Sequence, residues 1–146
     1  MRTPIESLLN IKRWNEDEAK NRFALLLKEL ASEEGRLRDL EEQYRSLGKK
    51  IESGMDELVN IDDIKKLNQY LENTLIRIHR QKKTIAEKER TVEDARICLV
   101  EASREKKVFE RLDEKNKAVL EKEHARKEQI RTDEHAVTGH HRKKKA

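Results

Sequence analysis

The sequence predicts an all-α chain, a long antiparallel two-helix coiled-coil hairpin, and three observations carry that prediction. Asp, Glu, Lys and Arg make up 44% of the 146 residues and aromatic residues only 3%, which is too little apolar material for a globular core. Gly and Pro are scarce, four and one, and the proline stands at position 4, so little punctuates the chain into strands and turns. The apolar residues recur at sevens, a period that separates a coiled coil from an equally charged disordered chain.

The first helix begins at Pro4, because Thr3 can cap, proline suits the first helical position, and Glu6 stands where a capping box places its carboxylate. From there Leu9, Glu16, Phe23, Leu30, Leu37, Tyr44, Ile51 and Leu58 follow at sevens, with Ala19, Leu26, Leu40 and Leu47 three residues on and Glu33 and Gly54 as polar or small interruptions. This predicts a first helix over residues 1–58. Gly48 and Gly54 weaken its end by roughly 1 kcal/mol each relative to Ala, and a turn is expected over 59–63, where Asn60 or Asp62 can cap the next helix.

A second helix is expected over 64–132, on the series Ile64, Leu71, Ile78, Ile85, Val92 and Leu99 with Leu67, Ala95, Ala102 and Phe109 as companions. The frame is then expected to slip by a residue to Leu112 and Val119. Residues 133–146, ending His140-His141-Arg142-Lys143-Lys144-Lys145, are expected to be a disordered basic tail. Folding the chain back at the turn pairs residues whose numbers sum to roughly 122, an αα-hairpin. Leu37 then meets Ile85, Leu30 meets Val92, and Glu16 meets Lys106 as a charge pair in place of an apolar layer. At about 1.5 Å per residue the helices would span roughly 80 and 100 Å, so the second overhangs the first. Two seams that satisfy each other favour a monomer over a parallel dimer.

Basic and acidic side chains number 34 and 30 and are interleaved through most of the chain, as on a solvated coiled-coil surface. Neither a signal peptide nor a membrane span is legible, so a cytosolic protein is expected, with membrane association only through a partner. No phosphate loop, metal-type Cys pair or nucleophile elbow occurs, and no enzyme and no cofactor are expected. His135, His140 and His141 with Asp133 and Glu134 have metal-ligand chemistry, but read as a solvated tail. Cys98 beside Leu99 is expected to be a partly buried small residue. Trp14 lies outside the seam and either packs on the overhanging helix or is an exposed anchor. The terminal Lys/Arg run lacks interleaved aromatics, so no nucleic acid is expected. Tyr70, Leu75 and Ile76 spill outside the seam positions near the closed end, which suggests a face for a partner.

Several stretches together resemble a known family. Leu8-Leu9-Asn10-Ile11-Lys12-Arg13, then Tyr70-Leu71 with Leu75, Ile78 and Gln81, are similar to FliJ, the coiled-coil component of the flagellar export apparatus. So are Val92-Glu93 through Lys106-Lys107, Phe109-Glu110-Arg111-Leu112, Glu128-Gln129 and Asp133-Glu134. The resemblance implies a stalk like the γ subunit of rotary ATPases. Its open end would enter the hexameric export ATPase (FliI-like) and its other end would meet the export gate protein (FlhA-like), and it would escort export chaperones. By position, it implies a gate-binding face of Leu40, Tyr44, Leu47, Leu71, Leu75 and Ile78, to which the positions outside the seam add Tyr70 and Ile76. It likewise implies an ATPase-binding end of Leu9, Lys12, Arg13, Trp14, Arg104, Lys106, Lys107 and Arg111. The stalk of virulence type III secretion is similar.

Overall fold

The computed structural model describes residues 3–56 and 60–145, and these form two helices, α1 (Pro4–Asp56) and α2 (Ile61–Lys145). The start of α1 is the expected capping box. The Glu6 backbone N–H donates to Thr3 Oγ1 at 3.2 Å, and the Thr3 N–H donates back to Glu6 Oε2 at 3.4 Å. Asn60 caps α2: its side-chain Oδ1 accepts from the Asp62 N–H at 3.4 Å and its carbonyl accepts from Asp63 and Ile64. The second helix therefore begins at Ile61, three residues inside the segment expected to be a turn, because Asn60 and not Asp62 supplies the cap. Leu58 and Val59, at the expected boundary, lie outside the described residues.

The chain divides into two compact units, Met1–Glu16 with Ala102–Ala146, and Asp17–Glu101. Each is a pair of helical segments, one from α1 and one from α2, packed along a seam. In the second unit the least exposed positions on α1 follow a 3–4 alternation through Phe23, Leu26, Leu30, Glu33, Leu37, Leu40, Tyr44 and Leu47. On α2 they run through Leu67, Leu71, Thr74, Ile78, Gln81, Ile85, Lys88, Val92 and Ala95. Only Ile78, Ile85 and Ala95 of the apolar set are buried, because two helices cover each other from one side only. The expected companion series passed over Thr74, Gln81 and Lys88, and these polar residues occupy its seam positions. Each is hydrogen-bonded: Thr74 Oγ1 donates to the Tyr70 carbonyl at 2.8 Å, Gln81 Nε2 to Glu33 Oε2 at 2.6 Å and the Glu33 carbonyl at 2.8 Å, and Lys88 Nζ to Glu29 Oε2 at 2.9 Å.

These bonds correct the expected register. A sum of roughly 122 would set Glu33 level with Glu89, and Glu29 level with Glu93, acid against acid. Instead the turn of α1 carrying Glu29 and Glu33 lies against Gln81 and Lys88, with Ile85 between those two on α2. A heptad seam tolerates such shifts because its apolar positions repeat, and the carboxylates select the shift that gives them donors.

In the first unit the expected layer is present, with Lys106 Nζ 3.0 Å from Glu16 Oε1 and the Glu16 side chain 7% exposed. Lys12 reaches Glu105 at 2.8 Å and lies 5.6 Å from the centroid of the Phe109 ring. The expected slip of frame does not occur. The helix is unbroken, so the seven-residue count carries on from Lys106 and Phe109 to Asp113 and Asn116, while Leu112 and Val119 are exposed. Asp113 is buried, with Oδ2 3.1 Å from Lys117 Nζ and Oδ1 without a partner. From residue 117 to residue 140 every side chain is exposed, yet the helix continues to Lys145 through the segment expected to be disordered. Its residues are mostly good helix formers, which carries the helix on without a partner face.

Candidate partner-binding surfaces

The eight residues of the expected gate-binding face all belong to the second unit, but they do different jobs. Ile78 is core, 7% exposed, and Leu40, Tyr44, Leu47 and Leu71 are half-buried seam residues. Tyr70, Leu75 and Ile76 are exposed. At about 100° per residue, Tyr70 and Leu75 project some 140° apart around α2, on opposite flanks of the seam, with Ile76 turned to the outer face. The structure therefore does not gather these three into one patch. Leu75 stands on one flank with Ile76 next to it on the outer face, and Tyr70 stands on the other flank beside Lys66, Gln69 and Asn73.

The expected ATPase-binding residues all belong to the first unit and again divide. Leu9 is buried at 3% and Lys106 is tied to Glu16, so both hold the helices together. The Glu16 carboxylate raises the Lys106 ammonium above its ordinary value of 10.5, through their hydrogen bond first. Lys12 is engaged with Glu105 and Phe109. What remains on the surface is Arg13 and Trp14 on α1 and Arg104, Lys107 and Arg111 on α2. Trp14 is 60% exposed and points away from the seam, which settles its two readings in favour of the exposed one; Leu8 and Ile11 beside it are exposed too. Sequence reasoning quoted those two only for a family resemblance and gave them neither a seam position nor a surface role.

Cys98 is exposed, against the expectation of partial burial, since its helical position turns outward from Ala95 and Leu99. Among the described residues no three His, Cys, Asp or Glu side chains are grouped to hold a metal ion, and no helix is long and apolar enough to cross a membrane. The side chain of His141 lies outside the described residues.

The family described as Flagellar FliJ protein matches residues 1–145. The chain belongs to the FliJ family. Membership makes it a component of type III protein export, and the two-helix architecture agrees with a solved relative. That relative, from Chlamydia trachomatis and described as a YscO homologue, superposes with a TM-score of 0.60 at 21% identity, covering 100% of this chain and 99% of the other. At that identity the likeness speaks for the shared fold. No match was found among curated protein sequences.

Proposed function

We propose that this FliJ-family protein works in flagellar protein export as a monomeric coiled-coil stalk. It links the hexameric export ATPase to the export gate, and it escorts export chaperones during flagellum assembly. It would act in the cytoplasm, at the cytoplasmic face of the inner membrane, reaching the membrane only through these partners. The observation that carries the reading is the family match over residues 1–145. It is supported by the separation of the two exposed residue sets into different units, Arg13, Trp14, Arg104, Lys107 and Arg111 in one and Tyr70, Leu75 and Ile76 in the other. Neither set needs a catalytic group, since a linker acts by contact.

Two variants and a complementation assay test it. Leu75→Gln with Ile76→Gln should weaken capture of the gate's cytosolic domain, and Arg104→Glu, Lys107→Glu and Arg111→Glu should weaken stimulation of the ATPase. Lys106 is left intact because its ammonium bonds the buried Glu16 carboxylate within the seam. Both variants should retain their helicity and reduce motility. If both supported full motility while deletion of residues 142–145 abolished it, the two-contact stalk would be wrong. The virulence stalk is the second reading, suggested by the YscO homologue's shared fold; normal motility with lost effector secretion in a deletion strain would favour it.

A further inference from the structure

A groove of about 450 Å³ runs along one flank of the second unit. Its α1 wall is Arg36, Asp39, Leu40 and Gln43, spaced i, i+3, i+4, i+7, so the four form one stripe along two turns. Its α2 wall is Arg77, Arg80, Gln81 and Thr84, with the same spacing. Two such stripes side by side are the walls that a third helix meets when it packs alongside a helix pair.

The charge of the groove is one-sided, three arginines against Asp39. Arg36 is engaged by Glu33 at 3.1 Å, while the guanidinium groups of Arg77 and Arg80 have neither a hydrogen bond nor an ion pair among the described residues. The sequence around them departs from the interleaving found elsewhere. Residues 73–86 contain Arg77, Arg80, Lys82 and Lys83 and no acidic residue. In a chain so rich in Asp and Glu, an acid-free stretch leaves guanidinium groups with nothing on their own helix to pair with. Leu40, Gln81 and Thr84 are half-buried and form the floor. Gln81 and Thr84 are already bonded, to Glu33 and to the Arg80 carbonyl, so the floor is pre-set and only the rim charges await partners.

We propose that this groove seats an acidic amphipathic helix of a protein partner, with aliphatic side chains on Leu40 and carboxylates reaching Arg77 and Arg80. Guanidinium forks match carboxylates in pairs, which gives the contact its preference for acid over other polar groups. Nucleic acid fits less well, because Asp39 stands in the wall and no aromatic side chain lines the groove for a base to stack on. The inference rests on the reading of this unit as a partner-binding one, and gives that partner its chemistry.

The test measures fluorescence anisotropy on the full chain. The probe is a labelled, end-blocked three-turn helical peptide with Leu on one face and Glu on both flanks, and its competitors are the same peptide with Lys for Glu and a single-stranded DNA oligonucleotide. The Glu peptide should bind and the Lys peptide should not. Arg77→Glu with Arg80→Glu should weaken binding by on the order of tenfold or more at unchanged helicity. Arg38→Glu with Lys49→Glu, the same charge change outside the groove, should not. Equal weakening by both variants, absence of Glu-peptide binding, or tighter binding of the oligonucleotide through Arg77 and Arg80 would overturn the proposal. The gate's cytosolic domain, run as a separate analyte, keeps the two readings apart. Peptide binding that depends on Arg77 and Arg80 while the gate ignores every second-unit variant upholds the groove and removes the gate from this unit. Peptide binding indifferent to both arginines removes the groove whatever the gate does.

Discussion

Replacing Ile85 by alanine should destabilise the protein by about 2 kcal/mol, and the same replacement at Ile97 should hardly matter. Ile85 is 8% exposed and sits in the seam between Gln81 and Lys88, whereas Ile97, on the same helix and in the same unit, is 44% exposed. Isoleucine to alanine removes about three methylene equivalents at about 0.8 kcal/mol each, or roughly 2.4 kcal/mol. The cavity contribution is small, since half-exposed neighbours can close over the gap. At Ile97 most of that transfer energy was never gained, and alanine's better helix propensity, worth a few tenths of a kcal/mol, offsets the rest. Thermal melts followed by far-ultraviolet circular dichroism should show Ile85→Ala lowered by about 5–10 °C, and Ile97→Ala within a degree or two of the parent. Ile85→Asp should fall further, because the new carboxylate would enter the seam without a donor set aside for it. If Ile85→Ala and Ile97→Ala shifted the melt equally, the assignment of Ile85 to the seam, and with it the register that rests on Gln81 and Lys88, would be refuted.

Glu33→Ala should cost only about 0.5–1.5 kcal/mol, since the Glu33 carbonyl still accepts from Gln81 after the carboxylate has gone; a chemical denaturation midpoint measures it. Either single substitution of the Glu16 and Lys106 pair by leucine should lower the melting temperature, while the double leucine variant should recover it or exceed it, because a pair on a buried carboxylate is costly to break but not to replace. The same pair fixes a pH dependence. Lys106 is raised in the folded state, so its stabilising share is complete below the ordinary value of 10.5 and is lost as pH climbs through the raised one. Melts across that alkaline range should slope downward in the parent and less so in Lys106→Gln. Thr3→Ala should remove the capping box and cost about 1 kcal/mol, read as faster amide exchange confined to the first turns of α1.

Much of this was legible because it is local or periodic. Thr3, Pro4 and Glu6 announce a helix start within four residues, and the sevens of the two helices mark the seam positions without reference to a partner. Register was not legible in the same way, since the repeat that reveals a seam makes its shifts look alike. Choosing among them requires knowing that Glu29 and Glu33 need donors and that Lys88 and Gln81, rather than Glu93 and Glu89, supply them. The expected slip to Leu112 weighted leucine's hydrophobicity above the backbone's own count, which carries Asp113 into the seam at the cost of an unpartnered oxygen. The proposed faces were blurred for a similar reason: Tyr70, Leu75 and Ile76 are close in number but lie on different sides of one helix. The α2 extension beyond residue 132 was missed because absence of an apolar stripe was equated with absence of helix, whereas helix propensity carries the chain on.

A repeat of seven behaves like a ruler with identical graduations: two such rulers laid together agree at many offsets. The polar layers are the marks that make the graduations unequal. Moving α1 along α2 by one heptad would restore leucine to isoleucine contacts nearly everywhere, but would bring Glu16 level with Leu99 or with Asp113 instead of Lys106, and Glu33 with Thr74 or Lys88 instead of Gln81. Each such offset parts at least one carboxylate from its present donor across the seam. The seam thus gives up cohesive strength at those layers and receives in exchange a single addressable alignment, which the proposed stalk would require more than a high melting point.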